Sequence, residues 1–197
     1  VQIGPNNINK GWDWCSGYHY SDSIVIGFSH LHLNGTGCSD TGDILFMPYT
    51  GKARTQPGTQ QDPLAGYASY YSKDNERALP GYYEVLLTAS DRVAFHRYTF
   101  PKDVEKHVMI NLKDANGDDR PTDTYLEQIN DTVIRGYRYS TGWSKKQQIY
   151  FSAVFSQPVH LTLYHDSVQV AGNRLQGLDV KGNVAVAPVV EELGVKV

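Results

Sequence analysis

The chain has 197 residues and carries 18 Lys and Arg against 21 Asp and Glu, a formal net charge of −3. That balance excludes the basic footprint of a nucleic-acid binder, and 40% hydrophobic with 20% charged residues excludes a disordered chain. No run approaches the roughly 20 apolar residues of a membrane-spanning helix, and a domain of this length folds without disulfide or metal staples.

In chain order the sequence reads as strand after strand. Residues 1–38 are dense in Gly, Asn, Trp, His and Ser, and hold a first apolar strand over 23–28. Residues 43–47 form a second strand, closed by Pro48. Residues 52–72 are polar, broken by Pro57, Gly58, Pro63 and Gly66, and read as a long excursion or linker. Residues 74–79 suggest one helical turn ended by Pro80, and 101–106 another. Strands are expected over 82–88 and 92–100. In the latter, Val93, Phe95, Arg97 and Thr99 alternate with Ala94, His96, Tyr98 and Phe100. Further strands are expected over 107–112, 132–139, 148–155 and 159–164, with weaker ones over 175–180 and 183–187 and a strand-like end at 195–197. The chain begins without Met and stops in a strand pattern, so it is expected to be one domain, 1–197, truncated at both ends. Period-two alternation, β-branched and aromatic enrichment and short turns predict an all-β fold. The architecture expected is an antiparallel β-sandwich of about ten or more strands.

The richest chemistry lies near the start. Gly11-Trp12-Asp13-Trp14-Cys15-Ser16-Gly17-Tyr18-His19-Tyr20 is followed by Gly27-Phe28-Ser29-His30-Leu31-His32-Leu33-Asn34-Gly35-Thr36-Gly37-Cys38. A Trp face packs on the C–H face of a sugar ring, and Asp, His and Ser bond its hydroxyls. The competing reading has Trp12 and Trp14 capping the sandwich core. His30 and His32 fall on one side of an extended segment, but no third ligand with recognised spacing accompanies them. Hydrogen-bonded histidines that orient a polar site explain them better than a metal does. Cys15 and Cys38 are read as two buried thiols, with pairing left open. Asp114, Asn116 and Asp118 mimic the start of a calcium loop, yet Asp119 and Tyr125 stand where such a loop needs Gly and Glu, so this reads as a solvated turn. No GxSxG, P-loop or dinucleotide motif is present.

These residues carry a resemblance. The two runs above, with Gly42-Asp43-Ile44, Met47-Pro48, Pro80-Gly81-Tyr82-Tyr83, Arg92 to Pro101, Thr122-Asp123-Thr124-Tyr125 and Gly136-Tyr137-Arg138 to Gly142-Trp143, are similar to the N-terminal domain of glycoside hydrolase family 92, bacterial exo-acting α-mannosidases. The resemblance implies a β-sandwich whose partner is a C-terminal helical catalytic domain, with the active site between them. It implies mannose-containing glycans as substrate, inversion at the sugar carbon, and calcium whose ligands lie mostly outside this chain. It also implies a periplasmic or cell-surface location, and no catalytic acid or base in this chain. Trp12 and Trp14 become candidates for walls of the sugar pocket. Asp13, His30 and His32 become candidates for polar contacts to substrate or for orienting the loop. The alternatives are a self-standing carbohydrate-binding module and, less well matched to the Trp and His clustering, a sandwich without a ligand.

Overall fold

The computed structural model describes residues 3–6, 22–31, 42–59, 61–62, 65–72, 77–79, 83–115 and 119–197. Their regular structure is β, in two antiparallel sheets, and none of it forms a helix able to cross a membrane. One sheet has seven strands in the order β1 (Gly4–Asn6), β3 (Gly27–Ser29), β4 (Leu45–Thr50), β9 (Lys106–Asn111), β16 (Val180–Val186), β13 (Val159–His165) and β14 (Val168–Val170). The other has ten, in the order β15 (Arg174–Gly177), β10 (Arg120–Asn130), β11 (Val133–Thr141), β12 (Gln147–Phe155), β17 (Glu192–Lys196), β8 (Ala94–Thr99), β7 (Tyr83–Ala89), β6 (Arg77–Leu79), β5 (Ser69–Ser72) and β2 (Ile24–Val25).

The core lies between the sheets, and the alternation in the sequence predicts its faces. Along β8, Ala94, His96 and Tyr98 are buried while Phe95 and Arg97 face out. From the seven-stranded sheet come Phe46, Val108, Ile110, Leu161, Leu163 and Val184; they meet Tyr98, Leu126, Ile134, Ala153, Phe155 and Leu193 from the ten-stranded one. Each Val, Leu, Ile or Phe among them contributes about 1.5–3 kcal/mol by leaving water. Gly182 of β16 leaves the space that Leu126 fills from the opposite sheet. A Cβ there would lie 2.4 Å from Leu126 Cδ2 and 2.6 Å from Leu161 Cδ1.

Several elements differ from expectation. β4 runs through Pro48 to Thr50 rather than stopping. Its pairing with β3 is at Phe28 and Phe46, so beside Pro48 that edge carries no ladder for the missing N–H to break. Residues 77–79 are strand β6, not a helical turn, and pair with β5 and β7. Residues 101–106 make a bend in which Asp103 has φ 54°, a left-handed conformation that a right-handed helical turn does not contain. The expected strand over 175–180 is split, because the chain changes sheets at Leu178-Asp179 between β15 and β16. The longest strand, β10, falls where no strand was expected, since its polar residues and Pro121 mask the inward Thr124 and Leu126.

The excursion after β4 is a cover rather than a linker. Tyr67 is buried and its hydroxyl accepts a hydrogen bond of 2.8 Å from Asn111 Nδ2 on β9. Tyr49, at the end of β4, stacks on His107 with centroids 5.0 Å apart and donates to Asn183 Oδ1 at 2.7 Å. The outer side of the central strands β9 and β16 is thereby shielded, which explains why both are buried along nearly their whole length.

Gly182→Ala is expected to lower stability by about 1–3 kcal/mol through overpacking between the sheets. Urea unfolding with an unchanged slope and a reduced midpoint is the result that shows it.

Candidate functional site

Of the residues singled out from sequence, His30 is described; Trp12, Asp13, Trp14 and His32 lie outside the described residues, as do Cys15 and Cys38. The structure does show how the segments that carry them are fastened. Residues 7–21 depart after Asn6, whose carbonyl accepts from Ile26 N–H at 2.9 Å. Residues 32–41 are closed at their base by Gly42 N–H donating to Leu31 C=O at 2.7 Å and His30 N–H donating to Asp43 C=O at 3.1 Å. These two necks bracket the short β1–β3 pair, where Ser29 Oγ also donates to Asn6 Oδ1 at 2.6 Å.

The neck at His30 is held by three features. The first is a chain of hydrogen bonds through a buried histidine pair. His30 Nδ1 lies 2.6 Å from Ile44 C=O, His30 Nε2 lies 2.9 Å from His96 Nε2, and His96 Nδ1 lies 2.6 Å from the Tyr98 hydroxyl. A carbonyl only accepts, so His30 Nδ1 carries a proton. With both rings neutral the direction is then fixed: Tyr98 donates to His96, His96 donates to His30, and His30 donates to Ile44. Burial, and after it the adjacent His30, hold His96 well below its usual pKa.

The second feature is backbone strain. Ile44, whose carbonyl His30 holds, has φ 60°, and a β-branched residue in that region is costly. Gly42 at φ 83° turns the chain just before it. The third is a buried ion triad. Arg138 of β11 pairs through Nη1 with Asp43 and through Nη2 with Asp119 at 2.7 Å, while its Nε donates to Leu112 C=O at 2.9 Å. Ser140 Oγ adds a 3.1 Å hydrogen bond to Asp119. Asp43 thus joins the neck to the opposite sheet.

Beside this neck the ten-stranded sheet opens. β12 pairs with β17 at Val154 and Phe155, and along the rest of β12 that side has no neighbouring strand among the described residues. A cleft of about 580 Å3 results. His30 and Ile44, both buried, form its floor; Arg92, Phe151 and Tyr150 are among its walls.

Among the described residues no three His, Cys, Asp or Glu side chains gather as a metal site. Asp43, beside the cleft floor, and the carboxylates at and near the run that begins at Asp114 already have partners: Asp43 and Asp119 pair with Arg138, Asp179 with Lys113 at 2.8 Å and Asp114 with Asn111 at 2.8 Å. The described residues therefore do not fit a calcium centre. Sequence reasoning gave Arg138, Asp119, Tyr98 and Tyr150 no role in a site. Arg138 had a legible signal, a charge at an inward-facing position of a strand between Gly136 and Ser140.

The described residues thus form a two-sheet antiparallel sandwich with a cleft beside the neck at His30. The whole chain, residues 1–197, matches the glycosyl hydrolase family 92 N-terminal domain, and it belongs to that family. Among solved structures it is similar to the family GH92 α-mannosidase BT3965 from Bacteroides thetaiotaomicron, a structure in complex with mannoimidazole. The TM-score is 0.90 at 32% identity, over 99% of this chain and 28% of that one. It is also similar to the GH92 family glycosyl hydrolase ccman5, with TM-score 0.83 at 23% identity over 98% of this chain and 28% of that one. The inverting mannosidase BT2199 of Bacteroides thetaiotaomicron shares the fold, with TM-score 0.75 at 20% identity over 98% of this chain and 26% of that one. The chain spans less than a third of the length of these relatives. No curated protein sequence matches it significantly.

Two outcomes follow from the neck. Replacing Arg138 by Leu strands two buried carboxylates and is expected to cost about 3–5 kcal/mol, read by urea unfolding. The depressed pKa of His96 means that only the unfolded chain takes up its proton at ordinary histidine pH. Stability is therefore full above about pH 6.5 and falls below it, approaching about 1.4 kcal/mol per pH unit. A urea midpoint that stays constant between about pH 7.5 and pH 5.5 contradicts this.

Proposed function

We propose that this chain is the N-terminal domain of an exo-acting α-mannosidase that releases α-linked mannose from glycans with inversion. The observation that carries the reading is the match along the whole chain to an α-mannosidase at 32% identity and TM-score 0.90. In this reading the sandwich supplies the wall of the sugar pocket and a C-terminal helical domain supplies the acid and base. Inversion needs one carboxylic acid on the leaving oxygen and one carboxylate activating water from the other face, with room for that water between them. Asp43 and Asp119 serve neither role, because Arg138 holds both in the interior.

The segments containing Trp12, Asp13, Trp14 and His32 reach the sugar from the two necks. Trp12 and Trp14 offer ring faces to its C–H surface, and Asp13 and His32 bond its hydroxyls. His30 orients the loop, since both of its ring nitrogens face protein groups and its exposure is 5%. Calcium, which would bind mannose hydroxyls and favour ring distortion, is assigned to residues beyond those described. A periplasmic or cell-surface location belongs to the same proposal.

Mannose release from α-linked mannobiose by the protein carrying this chain tests the reading. Release that a chelator abolishes and calcium restores is expected. Failure to cleave any α-mannoside overturns it. In the active protein, Trp12→Ala or Trp14→Ala is expected to lower kcat/KM at least about tenfold, which corresponds to about 1.4 kcal/mol of transition-state stabilisation.

A further inference from the structure

The outer face of the ten-stranded sheet bears a row of tyrosines. Tyr150, Tyr137 and Tyr125 stand opposite one another on β12, β11 and β10, with Tyr139 further along β11. Tyr125 and Tyr137 stack at 5.4 Å and 15°, and Tyr137 and Tyr139 at 4.5 Å and 24°. Stacked rings cover one another's faces, so these three form a buttress rather than a landing surface.

Tyr150 is different. Its ring is inclined by 58° to Tyr137 and 76° to Tyr139, so it stacks on neither, and it is 67% exposed. It is nonetheless held in place, because its hydroxyl is hydrogen-bonded to that of Tyr139. The buttress is anchored in turn: Tyr137 donates to Asp123 Oδ2 at 2.9 Å and Tyr125 to Glu127 Oε2 at 2.8 Å. An aromatic face that is both exposed and immobilised loses little side-chain freedom when something lands on it.

Tyr150 also lines the cleft to which His30 contributes. The cleft is lined as well by Asp91, Arg92, Ser152 and Lys196. One carboxylate, two cations and a hydroxyl offer hydrogen-bond donors and acceptors together, which suits an uncharged polyol better than an ion. A hexose presents C–H groups on its face for the ring and hydroxyls on its rim for these groups. The volume of about 580 Å3 is that of a small-molecule site.

We propose that this cleft is a glycan-binding subsite in which Tyr150 is the stacking platform for a mannosyl unit. The choice of mannose rests on the α-mannosidase reading; the presence of a sugar site rests on the cleft. Calorimetry of the chain with α-linked mannotetraose, with cellotetraose as a control, tests it. Saturable mannotetraose binding is expected, weakened at least tenfold in Tyr150→Ala and by a smaller factor in Tyr150→Phe, which keeps the ring but loses the hydrogen bond to Tyr139. Tyr150 is exposed, so unchanged thermal melting is expected of both variants and shows that the loss is local. Absence of saturable mannotetraose binding overturns the proposal, as does binding that Tyr150→Ala leaves unaltered. Cellotetraose bound in its place, with loss in Tyr150→Ala, overturns the assignment to mannose. Unaltered binding with a lowered melting temperature in the protein carrying this chain makes the ring a packing contact and also overturns the subsite. Mannobiose hydrolysis is measured separately, so the enzyme reading and the subsite can fail independently.

Discussion

Everything near the candidate site depends on one buried cation. Arg138 is wholly inaccessible and is shared between Asp43 and Asp119, with Leu112 C=O taking its third donor direction. Removing a charge from water costs several kcal/mol, and the attraction between the partners roughly repays it. Replacing a whole buried triad by apolar groups is often neutral, whereas removing one partner is severe. Such a triad is explained better by placement than by net stability. Here it fixes Asp43, whose backbone carbonyl holds His30 N–H and whose neighbour Ile44 is strained. The loop that leaves at Leu31 and returns at Gly42 is therefore referenced to the far sheet, not only to its own strand.

The histidine pair works in the same direction. His30 donates from Nδ1 and accepts a hydrogen bond at Nε2, so its ring cannot flip without losing both bonds. The edge of its ring meets Phe46 at 75°, and His96 packs against the same phenylalanine. A strained carbonyl, an oriented imidazole and a buried carboxylate lie within a few residues. Such concentration marks places where a backbone is held for a purpose. In the function proposed above, that purpose is to present a loop to the sugar with fixed geometry.

What was legible in the sequence follows from what period two reveals. Residues 92–100 alternate strongly, and β8 buries the face containing His96 and Tyr98. β10 was not legible, because Pro121 interrupts the pattern, Asp123 and Glu127 occupy its outer face, and few apolar markers lie inside. The polar run after Thr50 resembled a linker because nothing local tells that Tyr67 will reach Asn111, a partner far along the chain. The motif run pointed to the family, and His30 to the neck. The triad depended on pairings across the sandwich that no local pattern carries. Tyr150 was hidden for a simpler reason: tyrosines are common in strands, and only the pairing register shows which of them meet.

The central claim is that the sandwich presents Trp12 and Trp14 to the sugar from necks fixed by His30 and Asp43. The most direct measurement is a crystal structure of the protein carrying this chain with a non-hydrolysable mannoside bound. The account predicts both indole rings within about 4–4.5 Å of the sugar. Indole rings packed into the end of the sandwich core, with no contact to the bound sugar, would contradict it.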